Sequence, residues 1–569
     1  MGLLRLRAIE RWWLRIGVFL LPLAFAWDTY DQYVLPKLLL ARVLVLGLLI
    51  LLVVRSILNG ALTIRRTPLD VPLLVFLASA AVSTVFALNQ NVAVFGTYSR
   101  YDGLLTIVTY AGLFWLSVQV IRDRDDARSL LRVLLASGYV VSAIAILQSV
   151  GDSLSHQTLM PAFGTLGQKN LLGMFLAMLC PIAFREVIDA DAWSKRIVAI
   201  NALLVIGAGL LLSQSHSAWI GLMIAAAIVL FGSYRPRPHP ALPHRGRERV
   251  SLWVALAGGT LIVVALVIAG VTITSRQQTE RRPDIWRDSL ALIASRPVVG
   301  YGPDNFGLVY PRFQTKELGT QQVDKAHSEV LQVAATQGLI GLAAYGLVLV
   351  VFVRAFWRGR ERPGAVAVFA GLAAYQVALQ LNFTALAAAL PFWVVAAVAT
   401  ETWDARWTAN IALDHRRLSA LAGAFAGAAL LTLAFVAVVR PYVADSRLRA
   451  AVQADVEGRH GVAETAAAEA RQLAPQESVY AVEVGNIAFE RGDWSKAADA
   501  YVDAAALGTY NPLVYRNLAL ADRNLGRFTE ARAAARKAFE LDRYDPANRA
   551  LLAQLEALVR NQTLQRSDL

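Results

Sequence analysis

The sequence holds a single cysteine, Cys180, so no disulfide can form within the chain. Charge is scarce as well: Asp, Glu, Lys and Arg supply only 17% of the residues, too little for a chain of this length built from soluble domains. No Gly-rich P-loop, dinucleotide fingerprint or nucleophile elbow occurs, so the usual signatures of triphosphate, dinucleotide and serine-hydrolase chemistry are missing. The paired aspartates Asp123/Asp125 and Asp189/Asp191 sit among basic residues and read as solvated loop charge. Nowhere do His, Cys and carboxylates cluster at a spacing suited to zinc. Neither a metal nor a cofactor is expected.

What is present is apolar: 56% of the residues are hydrophobic, and the mean hydropathy is +0.47. Many runs approach the roughly 20 residues that cross a bilayer. Spans are predicted to begin near Trp13, Leu35, Leu69, Leu104, Leu130, Leu171, Ile197, Trp219, Leu252, Ser328, Ala365, Leu386 and Leu418. The net charge of +13 does not imply nucleic acid, because the arginines concentrate in every second loop. Arg5 to Arg15, Arg55 to Arg66, Arg122 to Arg128, Arg185 to Arg196, Arg235 to Arg249, Arg354 to Arg362 and Arg416/Arg417 then all fall inside. The run from Arg235 to Arg249 suits a loop that meets anionic membrane lipid. The first segment also has the shape of a signal peptide, with Ala24-Phe25-Ala26 as a cleavage site; retention is the expectation, and the topology is the same either way.

This pattern predicts an all-α protein in two parts: a polytopic membrane helix bundle of about 12–13 spans over residues 1–440, and an outside domain over 441–569. The second part repeats. Gly458, Gly492 and Gly526 recur at a step of 34, as do Ala463, Ala497 and Ala531, then Ala470, Ala504 and Ala538. That is the period of tetratricopeptide repeats, an α-solenoid whose helix pairs bury their faces only by stacking. The tail after Leu551 is expected to supply a capping helix, and the stack to bind a protein partner or present a protein acceptor.

A loop of roughly fifty residues, 275–327, lies on the same outside face. It carries Arg281, Arg282 and Arg287, an amphipathic stretch with Trp286, Leu290 and Ile293 on one face, the turn Pro297 to Gly302, and His327 directly before the next span. Guanidinium groups pair with phosphate oxygens and neutralise charge on a diphosphate leaving group. A histidine kept unprotonated by such neighbours suits general-base work on a hydroxyl. Arg100 is open to phosphate contact or to snorkelling, Lys169 to function or to capping its span, and His216 to ligation or to a structural role. Gln376, Gln380 and Asn382 read best as helix–helix contacts.

Four segments together resemble the O-antigen ligase / O-antigen polymerase family, in its members with appended tetratricopeptide repeats. They are Tyr98 to Leu104, Gly164 to Asn170, Arg282-x3-Trp286 with Pro297-x2-Gly300-x-Gly302, and Ala326-His327-Ser328-x2-Leu331-Gln332 with Gly338-x2-Gly341. The resemblance implies a metal-independent, inverting glycosyltransferase of the bacterial inner membrane. It would move a glycan from undecaprenyl diphosphate to a glycan, lipid or protein acceptor outside the cytoplasm. It also implies that His327 is essential and that the arginines, with Lys169 and His216, hold the diphosphate. Ser328 replaces the family's usual Asn, and His216 stands where the family has Arg. Ligase, polymerase and protein glycosylation stay open at this stage, as does a non-catalytic membrane scaffold.

Overall fold

In the computed structural model the chain is described over residues 2–156, 160–233, 281–317, 322–412 and 416–567. Every predicted span start falls on or beside a helix, except the one near Leu252, which lies outside the described residues together with the basic run from Arg235 to Arg249. Six helices are long and apolar enough to cross a bilayer: Val34–Asn59, Arg124–Asp152, Lys169–Asp189, Trp193–Leu212, Glu329–Gly359 and Gly423–Val456. Five shorter apolar helices pack with them: Asp70–Val85, Leu104–Val120, His216–Gly232, Ala365–Leu379 and Leu386–Thr402. At 1.5 Å per residue these fall short of the roughly 30 Å hydrocarbon layer. Loops adjoin them: residues 96–103 precede Leu104, and residues 380–385 connect two of the short helices. The chain is a multi-pass membrane protein.

Small residues let the central helices touch. A Cβ on Gly221 would lie 2.3 Å from the Ala374 carbonyl oxygen, and one on Gly371 would lie 2.4 Å from that of Met178. Backbone-to-backbone approach of this kind is how helices associate in lipid, where burial alone gives little drive. It fixes Lys169–Asp189, His216–Ser233 and Ala365–Leu379 as one unit, so that Lys169 and His216 start two adjoining helices.

One end of the bundle collects the arginines. Arg55 pairs with Glu10 at 2.6 Å, Arg15 bonds Asp126 at 3.2 Å, and Arg65 bonds the carbonyls of Gln119 and Ile121. Here the strand Ala61–Arg66 pairs antiparallel with Trp407–Ala412, from Ala61↔Ala412 to Arg66↔Trp407. Sequence periodicity gave no sign of this pair, because its two strands lie hundreds of residues apart.

The repeats form as their spacing predicts. Helices His460–Leu473, Ser478–Glu490, Trp494–Ala506, Pro512–Asn524 and Phe528–Leu541 alternate, and Gly458, Gly492 and Gly526 each take a left-handed φ of +74° at the turn. Ala463, Ala497, Ala531, Ala470, Ala504 and Ala538 are all fully buried between helices. The final helix Pro546–Ser567 closes the stack with Leu551 and Leu555. No linker separates the stack from the bundle: helix Arg416–Ala434 passes through a π-turn at Phe435–Val439 into Arg440–Val456. The boundary expected at residue 440 thus falls inside continuous helix.

Asp445, fully buried, ties the two parts together. It accepts from Tyr98 Oη at 2.5 Å, from Tyr480 Oη at 3.4 Å and from the Asp31 backbone N–H at 2.9 Å. Asp31 in turn accepts from the N–H groups of Tyr33, Val34 and Leu35, which start the helix Val34–Asn59. Asp445→Ala leaves these donors unpaired, at about 1–3 kcal/mol for each buried one. The variant is expected to show faster proteolysis of the repeat domain in native membranes, whereas Asp445→Asn, which keeps an acceptor oxygen, shows much less. Equal digestion of Asp445→Ala and the parent would refute this docking role.

Candidate active site

The loop that precedes His327 folds onto the bundle through the helix Arg282–Ser295. Its buried face is Ile285, Asp288, Ser289 and Leu292, not the Trp286–Leu290–Ile293 stripe read from the sequence, and Leu290 is 58% exposed. Asp288 explains the rotation. Its carboxylate is turned inward to accept from Thr315 N and Oγ1, at 3.1 and 2.8 Å, and from Tyr310 Oη at 3.3 Å. A buried carboxylate needs such donors, and meeting them sets the helix's roll.

The turn Pro297 to Gly302 then docks on a break in Glu329–Gly359 at Gly338, where φ is +68°. Leu339 N donates to Pro297 O at 2.7 Å, Tyr301 N to Ala335 O at 3.1 Å and Gly302 N to Thr336 O at 2.8 Å. A Cβ on Gly338 would lie 2.2 Å from Val298 O, and one on Gly300 would lie 2.4 Å from the Thr336 carbonyl carbon. Both glycines are therefore required by close backbone approach as well as by positive φ.

A buried charge triad pins the next segment. Lys325 Nζ donates to Asp102 Oδ2 and Asp304 Oδ1, both at 2.7 Å. Asp304 also accepts from the backbone N and Oγ1 of Thr97, at 2.6 and 2.9 Å. Burial would strip the Lys325 proton, but the two carboxylates more than offset it and its pKa lies above the usual lysine range. Burial and the nearby Asp304 raise Asp102, with Lys325 opposing. Arg100 Nε meets Asp324 Oδ2 at 2.6 Å, immediately beside this triad.

His327 follows, in a left-handed conformation with φ +51°, unusual for a residue other than glycine. Its carbonyl accepts from Trp286 Nε1 at 3.4 Å, and its ring stands edge-on to Phe383, centroids 5.4 Å apart. Arg100 lies over the same Phe383 ring at 5.1 Å. Nδ1 of His327 is buried with no hydrogen-bond partner. Burial first, then the positive charge of Arg282, pushes the His327 pKa down to about 4; Asp324 opposes and Arg100 adds to the effect.

Arg282 also acts electrostatically on Lys169 and on His216, so these three cluster with His327. Neither Arg282 nor Lys169 has a carboxylate partner among the described residues. His216 stands edge-on to Trp219 and leaves Nε2 buried and unsatisfied. Beneath them Ser215 Oγ donates to Asn170 at 3.1 Å and lies 3.2 Å from Ser217 Oγ, which accepts from Asn382 at 2.5 Å. That network joins the Gly164–Asn170 segment to Phe383's neighbour.

Two expected residues stand apart. Arg287 is 55% exposed and bound to Asp284 at 2.9 Å and Thr315 at 2.7 Å, so its charge is already matched. Arg281 is exposed at the N-cap position of Arg282–Ser295. Gln376 and Gln380 engage Tyr345, as the reading of helix–helix contacts predicts. The sequence reading did not single out Asp102, Asp304, Asp324 or Phe383. Asp102 lay inside a quoted segment and Asp324 next to one, but nothing local distinguished them; Phe383 carries no signal of its own. Among the described residues no three of His, Cys, Asp or Glu converge to hold a metal ion.

Residues 201–346 match the family model described as O-antigen ligase, a stretch that contains His216, Arg282 and His327 but neither Arg100 nor Lys169. No curated protein matches the chain. Among solved structures the chain is similar to the Arabidopsis OM64 TPR domain, at 18% identity over 20% of this chain and 96% of that one, with a TM-score of 0.20. It is also similar to a chain of the APC/C hetero-tetramer Cut9-Hcn1, at 10% identity over 79% of this chain and 76% of that one, with a TM-score of 0.19. Beside its membrane helices and its repeats, the chain thus carries an O-antigen ligase family domain over residues 201–346.

Proposed function

We propose that this protein transfers an oligo- or polysaccharide from undecaprenyl diphosphate to an acceptor hydroxyl on the outer face of the bacterial inner membrane. The observation that carries the reading is the grouping of His327, whose buried Nδ1 has no hydrogen-bond partner, with Arg282 and Lys169, two cations without carboxylate partners among the described residues. In water such cations would bring counter-ions; in a partly buried site they suit an anionic ligand.

The acceptor hydroxyl gives its proton to His327 as its oxygen attacks C1 of the first sugar. The C1–oxygen bond to the diphosphate breaks from the opposite face, which inverts the anomeric centre. The bonding pair leaves on the diphosphate, whose added charge Arg282 and Lys169 meet, without a metal. Arg100, already matched by Asp324, acts more through Phe383 and the loop than as a free phosphate ligand. The arginine-rich end of the bundle is cytoplasmic on this reading, and the repeats lie outside. Ligase, polymerase and protein O-oligosaccharyltransferase share this step and differ in the acceptor.

His327→Ala is expected to lower transfer by about 10²–10⁴, the usual contribution of a general base, while the protein still inserts and melts normally. The assay is purified protein with a polyprenyl-diphosphate glycan and acceptor, read as elongated product. Parent-like turnover would favour a scaffold that only recruits partners.

The pH profile provides a second check. Because His327 is held down to about 4, the free base persists as pH falls through the ordinary histidine range. The acid limb of kcat/KM should therefore lie well below 6.5 and move upward in Arg282→Gln, which removes a positive neighbour. An acid limb at the ordinary histidine value, unmoved by Arg282→Gln, rules out His327 as the base.

A further inference from the structure

Between the repeat stack and the outer loops of the bundle lies a groove of about 790 Å³. Its walls come from the turns between repeat helices on one side and from residues 91–98 on the other. The rim residues hold the parts together: Asn91 Nδ2 donates to Gln476 O at 2.8 Å and to Leu507 O at 3.1 Å, and Asn89 Nδ2 to Ala506 O at 3.1 Å. The groove adjoins the charged residues that position His327. Thr97, in its wall, bonds Asp304, and Tyr510, also in its wall, interacts electrostatically with Asp324, Asp304, Arg100 and Lys325.

The lining has a consistent chemistry. Tyr98, Tyr510 and Tyr544 supply aromatic surface, and Gln322 and Gln476 supply amides. Glu317, Glu477, Asp542 and Asp545 supply carboxylates, and no lysine or arginine is among the described residues that line it. Asp545 is matched by Arg516 at 2.8 Å and Glu477 feels the charge of Arg42, whereas the Glu317 carboxylate has no ion-pair or hydrogen-bond partner among the described residues. Burial raises Glu477 to about 8, with Arg42 opposing. Aromatic faces present negative π clouds to the C–H edges of a sugar ring, and carboxylates and amides accept from its hydroxyls. Walls without a lysine or arginine offer no counter-charge to uronates, phosphates or diphosphates, and the Glu317 carboxylate opposes them. The sign is opposite to that of the Arg282–Lys169 cluster.

We infer that this groove is a subsite for an uncharged oligosaccharide, neutral or N-acetylated, whose chain runs from His327 into the space under the repeats. The inference rests on the transfer reading above and adds to it the class of glycan and where its chain lies. Concave helical stacks also hold extended peptides. The lack of cations among the described lining residues, together with three tyrosines beside amides and carboxylates, favours sugar.

The test uses full-length protein in nanodiscs and saturation-transfer NMR, with three lipid-free probes: maltotetraose, chitotetraose and tetragalacturonate. At least one uncharged tetramer should give transfer, and tetragalacturonate none. Tyr544→Ala and the conservative Glu477→Gln should each weaken binding about tenfold, roughly 1.4 kcal/mol, with an unchanged melting profile. The groove assignment is overturned if no uncharged tetramer binds, if tetragalacturonate binds equally, if both groove variants bind normally, or if an extended peptide displaces the sugar. Loss of sugar binding in a protein that still transfers rejects the groove alone; normal binding in a protein that never transfers rejects the transfer reading alone.

Discussion

The ammonium of Lys325 between Asp102 and Asp304 is the constraint on which the site depends. These three residues come from the loop before Leu104, the segment just before the helix Glu329–Gly359, and the turn after Gly302. Each charge would be costly to bury alone, and removing one partner of such a set typically costs about 3–5 kcal/mol. The triad therefore selects one arrangement of three otherwise independent loops. It leaves only Ala326 between Lys325 and His327, so the histidine reaches its position through a left-handed turn that an unconstrained chain would avoid. The Ala326 N–H is held as well, by Gln332 Oε1 at 2.8 Å. Strain at the histidine is thus supported from both sides of its backbone.

The same loops separate charge by sign. Arg100 is neutralised by Asp324, and Lys325 by two aspartates, so neither adds free positive charge to the cavity. Among the described residues around the two sites, Arg282 and Lys169 near the membrane end have no carboxylate partner, and Glu317 toward the repeats has no cationic one. A ligand with an anionic head and an uncharged body would be oriented by this division before any close contact formed, since the field acts over about a Debye length. Docking through Asp445 matters for the same reason: it holds the acidic wall against the bundle.

Much of the architecture was legible because it is periodic. Apolar runs and alternating arginines mark the spans, and the 34-residue step places six buried alanines and three left-handed glycines correctly. Periodicity reports one element's exposure to one environment, and it fails where a single polar contact overrides it. Asp288 shows this: its need for Thr315 and Tyr310 rolls the helix Arg282–Ser295 by one position, and Leu290 comes out exposed. The site was legible only in pieces. His327 and Arg282 stand out by type and place, but Asp102, Asp304 and Lys325 become a unit only after more than two hundred residues have been folded away between them. Phe383 is one apolar residue among many until Arg100 and His327 both lie against it.

His216 is where this chain departs from the family pattern it resembles, and the geometry shows what that substitution leaves behind. An arginine there would bring a permanent charge and a planar fork of donors to a phosphate. An imidazole beside Lys169 and Arg282 brings neither while it is neutral, and its buried Nε2 has no partner. Arg100 is less suited to take over, because Asp324 at 2.6 Å already offsets its charge. The free charge next to His216 is instead Lys169, first residue of its helix and within the field of Arg282. That position also offers the unpaired backbone N–H groups of a helix start, which favour anions. On the proposed transfer reading, the role that a guanidinium at the start of His216–Ser233 would play falls to the Lys169 ammonium and a helix terminus one element earlier. The Asn170–Ser215–Ser217–Asn382 network fixes the two helix starts relative to each other, which is what that exchange requires.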